Sequence, residues 1–175
     1  TDAHKWLNVP YDCGLVFCAH PQSHRAAMSM EASYLVRSAE DLRNGTDWTP
    51  ESSRRARAFA LWAALRQLGR GGVAEMVDRC CRHATRLAAG LAAQPGVEIL
   101  NDVVLNQVLV RFAKEDSAHQ RVLAAVQAEG STWFGSTVWH GRPAARISVS
   151  GWSTSDADID RTVAVILAEC ARHSA

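Results

Sequence analysis

The sequence DAHKWLNVPYDCG (residues 2–14) places one lysine, Lys5, between a histidine and a tryptophan, in a run that turns from polar to apolar. Three roles are open to this lysine. It can be a solvated surface residue, which is the default for lysine, or it can bind a phosphate, although no glycine-rich loop surrounds it. It can also be a Schiff-base lysine, whose amine must be unprotonated and therefore partly desolvated. His4, Trp6 and the apolar residues that follow favour this third role, and the pattern alone leaves all three open.

Length and charge bound the kind of protein. The chain has 175 residues, enough for one ordinary domain or two small ones with a sizeable core. Lysine and arginine number 19 against 18 aspartate and glutamate, so the charge balance does not indicate a nucleic-acid or anionic-membrane partner. No apolar stretch reaches the roughly 20 residues that cross a bilayer. The first residue is threonine rather than an initiator methionine, so we expect the chain to be part of a longer protein.

The cysteines and histidines are not spaced as metal ligands. The five cysteines are odd in number, lie mostly within apolar patterns and form no C-x-x-C pair. We therefore expect no metal site, and free thiols in a reducing, cytoplasmic environment.

The first half of the chain reads as strand, loop and helix. The apolar run LVFCAH (15–20) predicts a buried strand, and the polar segment 22–47 predicts mostly loop. Thr49 as a cap and Pro50 at the first helical position predict a helix over 50–68. This helix is apolar almost all round, so we expect it to be buried.

The second half of the chain follows a β-β-α-β-β-α order after a further helix. Glycines at 69, 71 and 72 separate the helix over 50–68 from one over 72–94. The later elements are strands in VEIL (97–100) and NQVLVRF (106–112), a helix over 117–130, strands in STWFGSTVWH (131–140) and ARISVS (145–150), and a final helix begun by Ser155 and Asp158. The predicted fold class is α/β, with a division near Gly69.

Three separated blocks carry a resemblance to a known family. The motif at residues 2–14 resembles the cofactor-lysine motif of the group II pyridoxal-phosphate-dependent amino acid decarboxylases, which include the aromatic-L-amino-acid, glutamate and histidine decarboxylases. The block SRRARAFALWAALRQLGRGGV (53–73) resembles the family's arginine-led helix and glycine turn. The block ARISVSGWSTSDADIDRTV (145–163) resembles its C-terminal strand, threonine turn and helix.

The resemblance implies a fold, a cofactor and a set of site residues. The fold would be the C-terminal part of a fold-type I, aspartate aminotransferase-like enzyme, with residues 1–68 ending the large cofactor domain and residues 69–175 forming the small C-terminal domain. Pyridoxal 5′-phosphate would be bound covalently by Lys5, with His4 against its phosphate and Asp2 also in the cofactor site. The family's remaining cofactor contacts precede the lysine, so we expect this chain to be inactive alone.

The same resemblance implies a proton donor. In the family, a tyrosine on a mobile loop reprotonates the substrate in the neighbouring subunit of a homodimer. Here Tyr34 follows Lys5 by 29 positions in the sequence EASYL, and it is one of only two tyrosines. Relatives with phenylalanine at this place tend towards aldehyde formation, so Tyr34 favours decarboxylation of an L-amino acid to an amine and carbon dioxide.

Several residues and functions stay open. Arg54, Arg55 and Arg57 are either a solvated basic helix end or partners of acidic groups. Arg146 resembles an arginine that faces the family's active site, and a structural salt bridge is equally consistent with its position. Trp62, Trp133 and Trp139 are expected in the core or at an interface. The alternative functions are an aminotransferase, aldolase or aldehyde-forming enzyme of the same fold, and a non-catalytic α/β interaction domain.

Overall fold

The structure of the chain, a computed structural model, describes residues 1–30 and 44–173. Two short helices, α1 (Ala3–Trp6) and α2 (Pro21–Met28), and a 3-10 turn (Gly45–Asp47) precede the long helix α3 (Arg57–Ala92). Then follow β1 (Glu98–Ile99), β2 (Gln107–Arg111), α4 (Asp116–Glu129), β3 (Gly135–Trp139), β4 (Arg142–Ser148) and α5 (Asp156–His173). No helix within these ranges is long and apolar enough to span a bilayer.

The four strands form one antiparallel sheet in the order β1-β2-β4-β3. The second half of α3 packs with α4 and α5 on one face of this sheet. Alternation along β4 decides which side chains enter the core: Ile147 and Val149 are buried, whereas Arg146 and Ser148 are exposed, as their period of two predicts. On α3, the predicted helical stripe contributes Ala84, Leu87 and Leu91 to the same core.

Local end signals in this half act as expected. Gly130 ends α4 in the left-handed conformation with φ 85°. Before α5, the Ser155 hydroxyl donates to the Asp158 carboxylate at 2.7 Å, and the Asp158 N–H donates back to the Ser155 hydroxyl at 3.3 Å. This reciprocal capping lowers the pKa of Asp158, because the hydroxyl and the backbone N–H of Ser155 stabilise its charged form.

The first half departs from the predictions in three places. Residues 15–20 are not a strand and are largely exposed, because backbone pairing in the described residues ends at Leu15, which exchanges hydrogen bonds with Thr1 next to the Asp2–Gly14 bridge. Segment 22–47 contains a helix, α2, which Pro21 opens at its first turn. The helix predicted from residue 50 begins at Arg57, because the Thr49 hydroxyl donates to the carbonyls of Gly45 and Glu51 instead of capping a helix.

The long helix α3 is broken at Gly69, which has φ 62° and ψ −177°. Such a backbone suits glycine, so the predicted break at this residue is confirmed. The part of α3 before it is not buried within this chain, since Phe59 is 73 % and Trp62 59 % exposed. Trp133 and Trp139 are exposed as well, so none of these three tryptophans lies in the core. The division of the chain into domains 1–68 and 69–175 stays a prediction.

Arg111 is the largest polar side chain buried in the sheet, with 1 % of its surface exposed. Its guanidinium donates to the carbonyls of Pro143 and Lys114 and to the carboxylate of Asp116. We expect Arg111→Ala to lower the free energy of unfolding by about 3–5 kcal/mol, because it leaves a void and strips donors from buried carbonyls. Urea unfolding measures this loss. In the control Arg142→Ala, which removes an exposed ion pair, the free energy of unfolding should fall by less than about 1 kcal/mol. Equal losses in both variants would contradict the prediction.

The buried His119 makes stability depend on pH. Burial lowers the pKa of this imidazole below its ordinary 6.5, and the nearby Arg111 guanidinium lowers it further. The unfolded chain therefore takes up the proton first, so stability is full above about pH 6.5 and falls as the pH drops below it, by at most about 1.4 kcal/mol per pH unit. The Phe112 N–H donates to Nδ1 of this ring, and His119→Asn keeps an acceptor there. The free energy of unfolding, measured between pH 7 and 5, should depend less on pH in His119→Asn than in the wild type. The control His140→Asn should keep the wild-type pH dependence.

Candidate active site

Lys5 lies on the short helix α1, the Lys5 turn, which backbone hydrogen bonds hold against residues 13–15. The Ala3 N–H donates to the Cys13 carbonyl at 2.9 Å, and the Leu15 N–H donates to the Thr1 carbonyl at 2.7 Å. Ala3, Val9 and Cys13 are buried and pack against the first half of α3. The apolar residues after Lys5 thus anchor the turn, while the Lys5 side chain itself remains 68 % exposed.

The Lys5 amine pairs with a carboxylate of the same turn. Its Nζ lies 2.7 Å from Asp2 Oδ2, one helical turn earlier. The hydrogen bond from Lys5 lowers the pKa of Asp2 below its ordinary value of 3.8. The predicted site residues Asp2 and Lys5 are therefore brought together, on the exposed side of the turn.

His4 is oriented by the backbone behind it. The Cys13 N–H donates to His4 Nδ1 at 3.0 Å, so in the neutral ring the proton sits on Nε2. The ring also meets Tyr11 edge-on, with centroids 4.6 Å apart. The neutral His4 ring is thus oriented with its Nε2–H free to donate, one residue before Lys5 in the chain.

Asp12 and Arg57 tie the end of this segment to the start of α3. The Arg57 Nε donates to Asp12 Oδ1 at 2.7 Å, and Glu51 lies 3.7 Å from the same guanidinium. The hydrogen bond from Arg57 lowers the pKa of Asp12. For Arg57 the pairing with acidic groups is confirmed, whereas Arg54 donates to the Glu51 carbonyl.

Asn8 is a site feature that sequence reasoning missed. It has a positive φ of 52°, and its side chain bonds both to the Lys5 turn and to the segment after β4. Asparagine tolerates this backbone better than most residues, which was the one signal available in the sequence.

The two remaining predicted residues lie apart from this cluster. Tyr34 falls in residues 31–43, outside the described residues. Arg146 lies mid-strand on β4, opposite Leu109 of β2 and Gly135 of β3, and its side chain is exposed. Among the hydrogen bonds and ion pairs between described residues, none joins Arg146 to Lys5, His4 or Asp2. Their roles stay predictions.

Most of the chain matches a family of known proteins. Residues 1–113, which include the Lys5 turn and β1 and β2, match the pyridoxal-dependent decarboxylase conserved domain. This chain belongs to that family. The family match covers the whole Lys5 segment, so the resemblance read from residues 2–14 is confirmed at the level of the family.

Relatives of this family match along nearly the whole chain. Tyrosine decarboxylase 2 of Arabidopsis thaliana is 25 % identical over 175 residues, covering 94 % of this chain and 32 % of the relative. Phenylacetaldehyde synthase of the same plant is 22 % identical and covers 96 % of this chain and 36 % of the relative. This chain therefore spans about a third of these relatives' length.

A solved structure shows the same fold. The Oryza sativa enzyme described as TDC with PLP and tryptamine superimposes with a TM-score of 0.85 at 18 % identity, covering 99 % of this chain and 38 % of that one. The predicted fold class, that of part of a fold-type I enzyme, is confirmed.

Proposed function

We propose that this chain is the C-terminal part of a pyridoxal-phosphate-dependent decarboxylase that converts an L-amino acid into an amine and carbon dioxide. The observation that carries the proposal is the Lys5 turn, which backbone hydrogen bonds hold in place: it presents an exposed amine and, from the preceding residue, an imidazole with an oriented donor. The match of residues 1–113, which include Lys5, to the pyridoxal-dependent decarboxylase domain favours this function over a non-catalytic interaction domain.

The residues present fit the cofactor. Pyridoxal phosphate supplies an aldehyde for a lysine amine and an electron-accepting ring for decarboxylation. Lys5 Nζ would be the amine that holds it, and its ion pair with Asp2 would then be given up. His4 offers Nε2–H to an anion such as the phosphate, because Nδ1 is already occupied by the Cys13 N–H. Tyr34 is the proposed donor that returns a proton to the substrate's Cα.

The proposed substrates are aromatic L-amino acids. This choice rests on relatives named for tyrosine and aromatic-L-amino-acid decarboxylation. The second candidate, formation of an aldehyde, is supported by the phenylacetaldehyde synthase match. Tyr34 favours the amine.

We propose further that the enzyme is a cytoplasmic homodimer. The five cysteines are free thiols, as expected of a reducing compartment. Phe59, Trp62 and Leu65 expose large apolar surfaces on the first half of α3, and such patches mark contact sites. Sedimentation of the full-length protein should show a dimer, and a monomer would contradict this part of the proposal.

Borohydride trapping tests the proposed function. The chain contains two lysines, Lys5 and Lys114. In the full-length protein incubated with pyridoxal phosphate, reduction followed by peptide mapping should place the adduct on Lys5. Incubation with L-tyrosine or L-tryptophan should release the matching amine. An adduct elsewhere in the protein, or none, would contradict the proposal and favour an interaction domain.

A further inference from the structure

Asn8 links the Lys5 turn to the segment that follows β4, residues 149–154. Its Nδ2 donates to the Ser150 carbonyl at 2.7 Å, and its Oδ1 accepts from the Trp152 N–H at 3.1 Å. The amide therefore pairs with a carbonyl and an N–H of one backbone segment, as a neighbouring strand would. Among the hydrogen bonds between described residues, those of Asn8 are the ones that connect residues 1–15 with residues 69–173.

The same amide also donates hydrogen bonds to the backbone of the Lys5 turn. Asn8 Nδ2 lies 3.1 Å from the carbonyl of Lys5 and 3.1 Å from that of Trp6. One side chain thus contacts the peptide that carries the cofactor lysine and the segment 149–154.

Segment 149–154 is itself held firmly by the sheet and by α3. Asn106 and Val149 exchange two hydrogen bonds, at 2.9 and 3.0 Å. Arg79 donates to the Trp152 carbonyl at 2.8 Å. Asn8 therefore bonds to a fixed support, not to a loose loop.

We propose that Asn8 is a positioning residue: it fixes the backbone of Lys5 relative to the sheet and so sets the direction in which Lys5 presents its amine to the cofactor. This inference rests on the proposed function of Lys5. The Lys5 side chain is mostly exposed and its amine pairs with Asp2 of the same turn, so the direction of the amine follows from where the backbone of this turn is held. Supporting hydrogen bonds of this kind are what hold a reacting group in a productive geometry.

The test compares Asn8→Gly with Asn101→Gly in the full-length holoenzyme. Glycine keeps the positive φ of Asn8 and removes the amide. Asn101 is a matched control, because it donates to the carbonyls of Asp102 and Gln107 and accepts from the Leu109 N–H, all within the sheet region. Asn8→Asp is the second variant: it keeps the acceptor for the Trp152 N–H and the shape of the side chain, and it turns the donor into an acceptor.

Two measurements separate positioning from mere stability. Hydrogen exchange at the Trp152 amide should be at least about fivefold faster in Asn8→Gly. The circular dichroism that the protein induces in the lysine-bound cofactor should lose intensity in both Asn8 variants, because that signal depends on cofactor orientation. The Asn101 variant should keep the wild-type spectrum even if its melting temperature falls.

The outcomes distinguish this inference from the function on which it rests. A wild-type holoenzyme without an adduct on Lys5 would overturn both. An adduct on Lys5, with a cofactor spectrum that Asn8→Gly and Asn8→Asp leave at the wild-type intensity, would overturn the positioning role alone. Faster exchange together with a weakened spectrum and an intact Lys5 adduct supports it.

Discussion

Replacing Lys5 with alanine should leave the protein folded and reduce amine formation by at least about 10³-fold, the scale of loss when a nucleophile that acts with other groups is removed. The side chain is exposed and bonds to Asp2 at the surface, so its removal costs the fold little. Without the amine, the cofactor has no covalent attachment in this chain's site. Amine release under saturating cofactor measures the effect, and the absorbance of the protein-bound cofactor should change in parallel.

Lys114→Ala is the matched control for this experiment. Lys114 is the chain's other lysine, and its exposed side chain leaves the backbone carbonyl that Arg111 uses unchanged. Activity should therefore be retained. Retained activity in Lys5→Ala, or a comparable loss in Lys114→Ala, would remove Lys5 from the mechanism.

The second half of the fold could be predicted from the sequence because its signals are local. Period-two alternation placed Ile147 and Val149 in the core, and Gly130 and Ser155 marked helix ends through bonds within a few residues. The predictions for the first half were wrong where an apolar pattern indicated burial, because such a pattern does not show which surface covers the residues. The large apolar side chains of Val16, Phe17, Phe59 and Trp62 are exposed, whereas Leu15 and Leu61 are partly buried against the cluster of Ala3, Val9 and Cys13.

The site was predictable only where a motif carries it. Lys5, His4 and Asp2 fall within four consecutive residues, and in the structure Lys5 pairs with Asp2 while His4 bonds to the Cys13 backbone. Asn8 contacts Ser150 and Trp152, which follow it by 142 and 144 positions, and no periodic pattern joins residues so distant. The Asp12–Arg57 pair likewise spans 45 positions. Long-range polar contacts of this kind appear only once the chain is folded.

Tyr34→Phe should divert the product from amine towards aldehyde. If the Tyr34 hydroxyl returns the proton to Cα, its removal should lower amine formation by about 10²–10⁴-fold, the usual contribution of general acid catalysis. Carbon dioxide release should continue, because the proton is needed only after it. With protonation slow, oxygen competes: amino acid, oxygen and water then yield aldehyde, carbon dioxide, ammonia and hydrogen peroxide in equal amounts. Amine, aldehyde and peroxide measured under air and under nitrogen give the partition.

The chain's second tyrosine, Tyr11, is the alternative proton donor against which the assignment of Tyr34 can be tested. Tyr11 is exposed beside His4, and Tyr11→Phe keeps the ring that meets the imidazole while removing only the hydroxyl. If Tyr34 is the donor, peroxide and aldehyde should rise in Tyr34→Phe and stay low in Tyr11→Phe. The reverse pattern would move proton return to the hydroxyl beside His4. Amine as the main product in both variants would exclude both tyrosines as the donor. The proton would then come from solvent water or from the oriented Nε2–H of His4.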